Sequence, residues 1–369
     1  DGQRVIHVAG TNGKGSVCAM IEAITRAAGY RTGLFTSPHL VTFRERIQVS
    51  GEMMREDDVA AGLTLLRALV DNWDPHPTFF EIATALGLRH FAREKCEIVV
   101  LETGMGGRLD ATNVVTPVVS VITPIDYDHQ KWLGHTLSEI AAEKAGIIKP
   151  GVPVVSAPQR NEAESVIRTR AAECEAPLQI IATPHERQTG LAGAHQRQNA
   201  GLAVTAIEAA AIQIDQKAIR FGLTNVSWPA RFQRWDAQIV IDGAHNPAGA
   251  RVLAETWREV FGHRRATIIL VFLRDKDGAG MIKALAPIAG RFLLPKVRTA
   301  RAVSPQESAA IIRTVAPEAC LGMAESFGAA LADAQSGAAP ILITGSLHFA
   351  GEALAALRGT PGELEDCMQ

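Results

Sequence analysis

The sequence has five cysteines, Cys18, Cys96, Cys174, Cys320 and Cys367, and no two of them form a CxxC pair. An odd number without metal-ligand spacing argues against a disulfide framework or a cysteine metal site, and it fits a reducing cytosol. No apolar run reaches the roughly 18 residues needed to cross a bilayer, and no signal peptide is visible. The expectation is therefore a cytoplasmic protein with no membrane partner. Neither sign of charge prevails: the formal net charge is −2. That gives no electrostatic reason to expect nucleic acid or an anionic membrane. The basic cluster HRR at 263–265 reads as a solvated loop. Internal repeats and low-complexity tracts are absent, and residues 10–16 lack G-x-G-x-x-G, which disfavours a dinucleotide-binding dehydrogenase.

What is present is an ordinary globular balance, 47% hydrophobic and 21% charged over 369 residues, enough for two or three domains. The first half alternates strand and helix. RVIHVA is a short β run, and SVCAMIEAITRAAGY places Val17, Met20, Ile21 and Ile24 on one helical face. EIVVLE and VVSVIT are nearly continuous apolar runs, as strands covered on both faces of a parallel sheet should be. TLSEIAAEKAGIIKPG opens on a capping box, Thr136 with Glu139. The pattern breaks at LTNVSWPARFQ, residues 223–233, and then resumes with QIVIDGAHNP, ATIILVF, RFLLP and APILITGS as strands. The reading is an α/β chain. Residues 1–226 are expected to form a domain with a mainly parallel sheet flanked by helices, a P-loop ATPase domain on the strength of the glycine loop HVAGTNGKGSV at 7–17. Residues 227–369 form a smaller Rossmann-like α/β domain of usual size.

Five segments carry chemistry. HVAGTNGKGSV, residues 7–17, is a phosphate loop of unusual spacing between a strand and a helix. Backbone N–H groups and the positive helix end there suit an anion. Lys14 adds charge for terminal phosphates, and Ser16 can offer its oxygen to Mg²⁺. In LETGMGGRLDATN, Glu102 ends an apolar strand and can hold a metal or its waters; the competing reading is a tight surface turn with a solvated carboxylate. In ITPIDYDHQKWLGHT, His129 is a possible metal ligand, with Asp126, Asp128 and His135 competing for that role or all of them structural. Lys144 in EKAGIIKP is either a solvent cation or, near metal ions, an amine kept neutral by like charge and able to become a carbamate. Asp242, His245 and Asn246 of DGAHNP form a polar set that also suits a helix N-cap with Pro247 at the first helical position.

Taken in order, HVAGTNGKGS, FTSPHL…RERI, LETGMGGRLDATN, DYDHQKWLG, EKAGIIKPG, GAHQRQNA, ARFQ, DGAHNP, LRDKD and TGSLHFAGE resemble the folylpolyglutamate synthase/dihydrofolate synthase family of the Mur ligase superfamily, in its bacterial form. The shortened glycine loop is that superfamily's own variant. The resemblance covers nearly the whole chain. It implies an ATP-dependent ligase that phosphorylates a folate-side carboxylate to an acyl phosphate, which the α-amine of L-glutamate then attacks. Carried over residue by residue, Gly10, Thr11, Asn12, Gly13, Lys14, Gly15 and Ser16 would face the ATP phosphates. Gln196, Asn199, Arg231 and Asp242 would also contact ATP. Ser16 and Glu102 would hold one Mg²⁺, and Glu102, His129 and carbamylated Lys144 a second. Ser37, His245 and Ser346 would lie near the glutamate or acyl phosphate. Pro38 and His39 would line the loop facing dihydropteroate or folate, with Phe80 on the pterin or aminobenzoate side. The implied working unit is a monomer.

Three departures accompany the match. Family members carry a helical stretch before the first strand, on the pteroate side, whereas this sequence opens on the strand, which bears on the dihydrofolate synthase step. TPHERQTGLAGAH is compressed, and TARAVSP matches loosely. Two alternatives stand beside the main reading: another Mur-type ligase of cell-wall synthesis, which FTSPHL and GMGGRLDATN disfavour, and an inactive ATP-binding relative. The joint presence of Lys14, Ser16, Glu102, His129 and Lys144 argues against inactivity.

Overall fold

The computed structural model describes residues 2–181 and 188–365. Residues 182–187, of which 183–187 open TPHERQTGLAGAH, and Cys367 lie outside them. Two sheets organise the chain. The first runs from edge to edge as Glu52–Met53, Ile47–Val49, Thr32–Phe35, Ile98–Glu102, Arg4–Ala9, Val119–Ile122, Val154–Ser156 and Leu178–Ile180. From Thr32–Phe35 onward all neighbours are parallel, and the two short edge strands are antiparallel. The second sheet runs Cys320–Ala324, Ala289–Pro295, Ala266–Leu270, Ile341–Thr344, Ile239–Ile241 and Gln233–Arg234, parallel except for the last pair.

The apolar runs became covered strands: every residue of Ile98–Glu102 and Val119–Ile122 is buried. The helix Lys14–Ala27 presses Val17, Met20, Ile21 and Ile24 into the core of the first sheet. Helix Gln216–Asn225 lies against it at Gly222, where a Cβ would stand 2.5 Å from the Ile24 Cα. That close approach requires glycine. The capping box at Thr136 and Glu139 opens helix Leu137–Ala145. The break at 223–233 is the passage between sheets: the helix ends at Asn225, Ala230 and Phe232 take left-handed backbone (φ 53° and 45°), and the second sheet begins at Gln233.

The two bodies share apolar packing. Leu40 and Val41, from the loop after Thr32–Phe35, belong to the same cluster as Ile241, Ile343, Phe349 and Ala350 of the second body. A Cβ on Gly351 would collide with the Leu40 carbonyl. Gly351→Ala is therefore expected to lower stability by about 1–3 kcal/mol through overpacking, read as a drop in Tm. An unchanged Tm would show that the seam yields easily.

Among the described residues no helix is long and apolar enough to cross a membrane. Cys18, Cys96, Cys174 and Cys320 are free thiols.

Candidate active site

Both sheets turn their carboxyl ends toward one cleft of about 400 Å³, where loops of α/β folds place their ligands. The phosphate loop leaves the strand Arg4–Ala9 and enters the helix at Gly13, which has φ 92°. No side chain caps that helix, so its first-turn N–H groups are available to an anion. The loop is held from behind. The Thr11 and Asn12 amides donate to the Pro124 carbonyl at 3.0 and 3.2 Å, and the Thr11 hydroxyl donates to the Asp126 carbonyl at 3.0 Å. Gly10 (φ 148°) sits against Thr123 so tightly that a Cβ would overlap its side chain. The Lys14 ammonium rests on the Gly10 and Thr11 carbonyls at 3.2 and 3.4 Å.

Around the loop stand the candidate metal-binding groups. Ser16 is buried, and its Oγ accepts from Gln196 Nε2 at 3.4 Å, while Asn199 Nδ2 donates to Gln196 Oε1 at 2.9 Å. Glu102, 5% exposed, accepts the Ser37 amide at 3.0 Å. Burial raises its pKa, opposed by Lys14, the Ser37 N–H, Arg231 and Arg46. His129 has left-handed backbone (φ 49°), which turns the chain into the cleft. Burial, with Lys276 and Lys14, lowers its pKa to about 4 against the pull of Asp128. Its imidazole is thus neutral at pH 7, the form that ligates metals.

Lys144 is 4% exposed and donates to the Gly10 carbonyl at 2.9 Å. Burial and then Lys14 bring its pKa down to about 7, opposed by Asp128 and Asp110. Among the described residues no three His, Cys, Asp or Glu side chains are close enough to hold a metal alone. The cleft instead offers a mixed set: a hydroxyl, a carboxylate, a neutral imidazole and a buried amine. Such a set fits Mg²⁺ if further oxygens come from phosphates and from the amine in carbamate form.

From the second body, Asp242 accepts the Phe232 and Ala244 amides at 2.7 and 2.9 Å. Burial raises its pKa, and Arg231 opposes this. Asn246 caps helix Pro247–Phe261 by accepting the Gly249 amide at 2.8 Å, with Pro247 in the first turn. Its amide nitrogen also reaches Asn12 Oδ1 at 3.1 Å, so cap and site coincide. His245 Nδ1 donates to the Gly243 carbonyl at 2.9 Å, which turns Nε2 toward Asp128.

Of the expected residues, Gly10 to Ser16, Ser37, Pro38, Glu102, His129, Lys144, Gln196, Asn199, Arg231, Asp242 and His245 line the cleft. Three do not. His39 is buried, accepting from Arg46 Nε at 2.9 Å, and its pKa is lowered to about 4 by burial and by Arg46. Phe80 packs on Phe35 (centroids 5.9 Å apart) and under Gly104. The Ser346 hydroxyl accepts the Phe349 amide at 3.0 Å, capping helix Leu347–Leu357. A serine ahead of an apolar helix is a cap signal that TGSLHFAGE already carried.

His135 is exposed on a capping loop, away from the cleft. Asp126 binds Arg251 at 3.3 Å and Arg160 at 3.6 Å, and Asp128 binds Lys276 at 2.7 Å. These partners occupy both carboxylates that competed with His129. Burial raises Asp128, but the imidazole of His245 beside it and the Lys276 ammonium at 2.7 Å outweigh it and hold the carboxyl well below its usual range. His195 was not anticipated; it lines the cleft with a pKa lowered to about 4 by burial and Arg231.

A phosphate loop on one parallel sheet facing an Asp-and-His loop on another defines a two-domain Mur-type ligase. Residues 8–155 match the Mur ligase middle domain, and residues 230–347 match the Mur ligase glutamate ligase domain. Within that class, the chain belongs to the folylpolyglutamate synthase/dihydrofolate synthase family. The dihydrofolate synthase/folylpolyglutamate synthase of Bacillus subtilis (strain 168) is 40% identical over 321 residues, 78% of this chain and 75% of that protein. Mycobacterium tuberculosis folylpolyglutamate synthase complexed with ADP and AMPPCP superposes with a TM-score of 0.89 at 32% identity, covering 99% of this chain and 92% of that one. The bifunctional Yersinia pestis CO92 enzyme complexed with AMPPNP and Mn ion gives a TM-score of 0.85 at 30% identity, covering 96% and 89%.

Proposed function

We propose that the chain is an ATP-dependent ligase that adds L-glutamate to dihydropteroate, to a tetrahydrofolate, or to both, through an acyl phosphate. The observation that carries this reading is the uncapped, Lys14-bearing helix start facing Arg231, Asp242 and His245 across one cleft. Carboxylate oxygen is a poor leaving group and phosphate a good one, so amide formation needs the carboxylate activated first. The first-turn amides and Lys14 would hold the triphosphate and neutralise charge as the terminal phosphoryl group transfers. Ser16, Glu102, His129 and Lys144 are the residues that would hold Mg²⁺, which when bound would supply positive charge to the transferring phosphoryl group.

For Lys144 we propose the carbamate. A buried ammonium whose one hydrogen bond described is to a carbonyl, beside Lys14, is poorly compensated. Reaction of the free amine with CO₂ forms an N–C bond and releases one proton. The product is an anion suited to a cation shared with Glu102.

His245, Ser37 and the loop at Ser346 would orient the incoming amine, and closure between the bodies would keep water from the acyl phosphate. His39, Pro38 and Phe80 would serve the acceptor side. We place the domain division between 226 and 227. The monomeric working unit is carried over from the family resemblance. The scattered free thiols support the cytoplasmic location.

ADP release is expected only when glutamate and a pteroate or folate acceptor are supplied together. Offering dihydropteroate and tetrahydrofolate separately resolves the acceptor. Release driven by a muramyl precursor instead would overturn the folate reading.

A further inference from the structure

The Asp128 carboxylate collects donors across the cleft. Lys276 Nζ lies 2.7 Å from Oδ1, Asn246 Nδ2 lies 3.3 Å from Oδ2, and His245 Nε2 lies 3.6 Å from Oδ2. Lys276 and Asn246 donate, while His245, whose Nδ1 proton goes to the Gly243 carbonyl, only stands near; all three belong to the second body and Asp128 to the first. The Asn246 amide also donates to Asn12 of the phosphate loop at 3.1 Å, and Asp128 Oδ1 accepts the backbone N–H of His129 at 2.8 Å. One carboxylate thus ties together the phosphate loop, the His129 turn and two second-body loops. The side chains of Asp128 and Lys276 are 8% and 9% exposed. A dry ion pair of this kind gains from its partner only when both charges are in place, and separating the bodies would return both to water.

We infer that Asp128 and Lys276 are positioning residues, a latch that seats the second body on the phosphate loop and fixes the His129 turn when the cleft is closed for phosphoryl transfer. Asp128 is not a metal ligand in this arrangement, because its oxygens are taken up by the donors opposite. Lys276 acts through Asp128 and touches no reacting atom. The inference rests on the ligase reading for its activity readout and on shape in solution for an independent one.

The test is a double-mutant cycle on the full chain: Asp128→Asn, Lys276→Met and the pair together, with Lys276→Arg as the charge-keeping control. Each single substitution is expected to lower kcat at least tenfold with a smaller change in the KM for glutamate. The double variant is expected to lose no more than the worse single, since the second change removes a charge already stranded. Lys276→Arg should recover most of the Met loss. Small-angle scattering with Mg²⁺ and a non-hydrolysable ATP analogue should give a larger radius of gyration for each single variant than for the unmodified chain.

Losses that multiply in the double variant, an arginine variant as impaired as the methionine one, or scattering unchanged in all variants would overturn the latch. If Lys276→Met does not fold, the arginine variant and Asp128→Asn still decide by kcat and scattering. Failure of the unmodified chain to turn over any pteroate or folate would fall on the ligase reading, and scattering would then judge the latch alone.

Discussion

Lys144→Ala is expected to reduce turnover by roughly 10³-fold or more, the scale of losing a charge-stabilising group from a preorganised site. Nucleotide binding should survive at a measurable level. The first-turn amides and Lys14 are untouched by the change, and Lys144 reaches the loop only through the Gly10 carbonyl. Alanine leaves a small hole where an anion is proposed to sit, so added formate or acetate should restore part of the rate. The sign of the pH dependence follows from the causes of the shift. Burial and Lys14 lower the pKa to about 7, so the amine is protonated below that pH and free above it. Activity should therefore fall on the acid side of neutrality in the unmodified chain. Turnover in Lys144→Ala equal to that of the unmodified chain would remove Lys144 from the metal set.

Lys14→Ala should have a comparable effect by a different route. The ammonium is the charge placed on the phosphate loop, and its removal is expected to weaken binding of an ATP analogue and to cut turnover by about 10³-fold. A second consequence reaches Lys144. Because Lys14 depresses the Lys144 pKa, its loss should raise that pKa, and the acid limb of the residual activity should move to higher pH. Titration calorimetry with the analogue and a pH–rate profile would measure both effects. An acid limb that stays in place would show that the two lysines do not feel one another in the working enzyme.

The sequence made local chemistry readable and left long-range partnership unread. The glycine loop, the Thr136–Glu139 capping box and the Asn246–Pro247 helix start are all written within a few consecutive residues, and each is found where expected. The run ending in Glu102 signalled a covered strand, and the carboxylate sits at its tip. The edge strands Ile47–Val49 and Glu52–Met53 are too short to show a period of two. Asp128 was weighed as a metal ligand because nothing near it in sequence names Lys276 as its partner; they lie 148 positions apart. The partner of His39 is equally unreadable, because Arg46, which donates to it, is brought there by the turn Phe43–Arg46 and not by adjacency. Ser346 differs, since its capping role was local and legible.

Leu40 and Val41 complete a hydrophobic interior that otherwise belongs to the second body. The halves are therefore joined by side-chain packing as well as by the backbone that connects them. Substitution at either position reaches Phe349 and Ala350, near the opposite end of the polypeptide, without any change in the residues between.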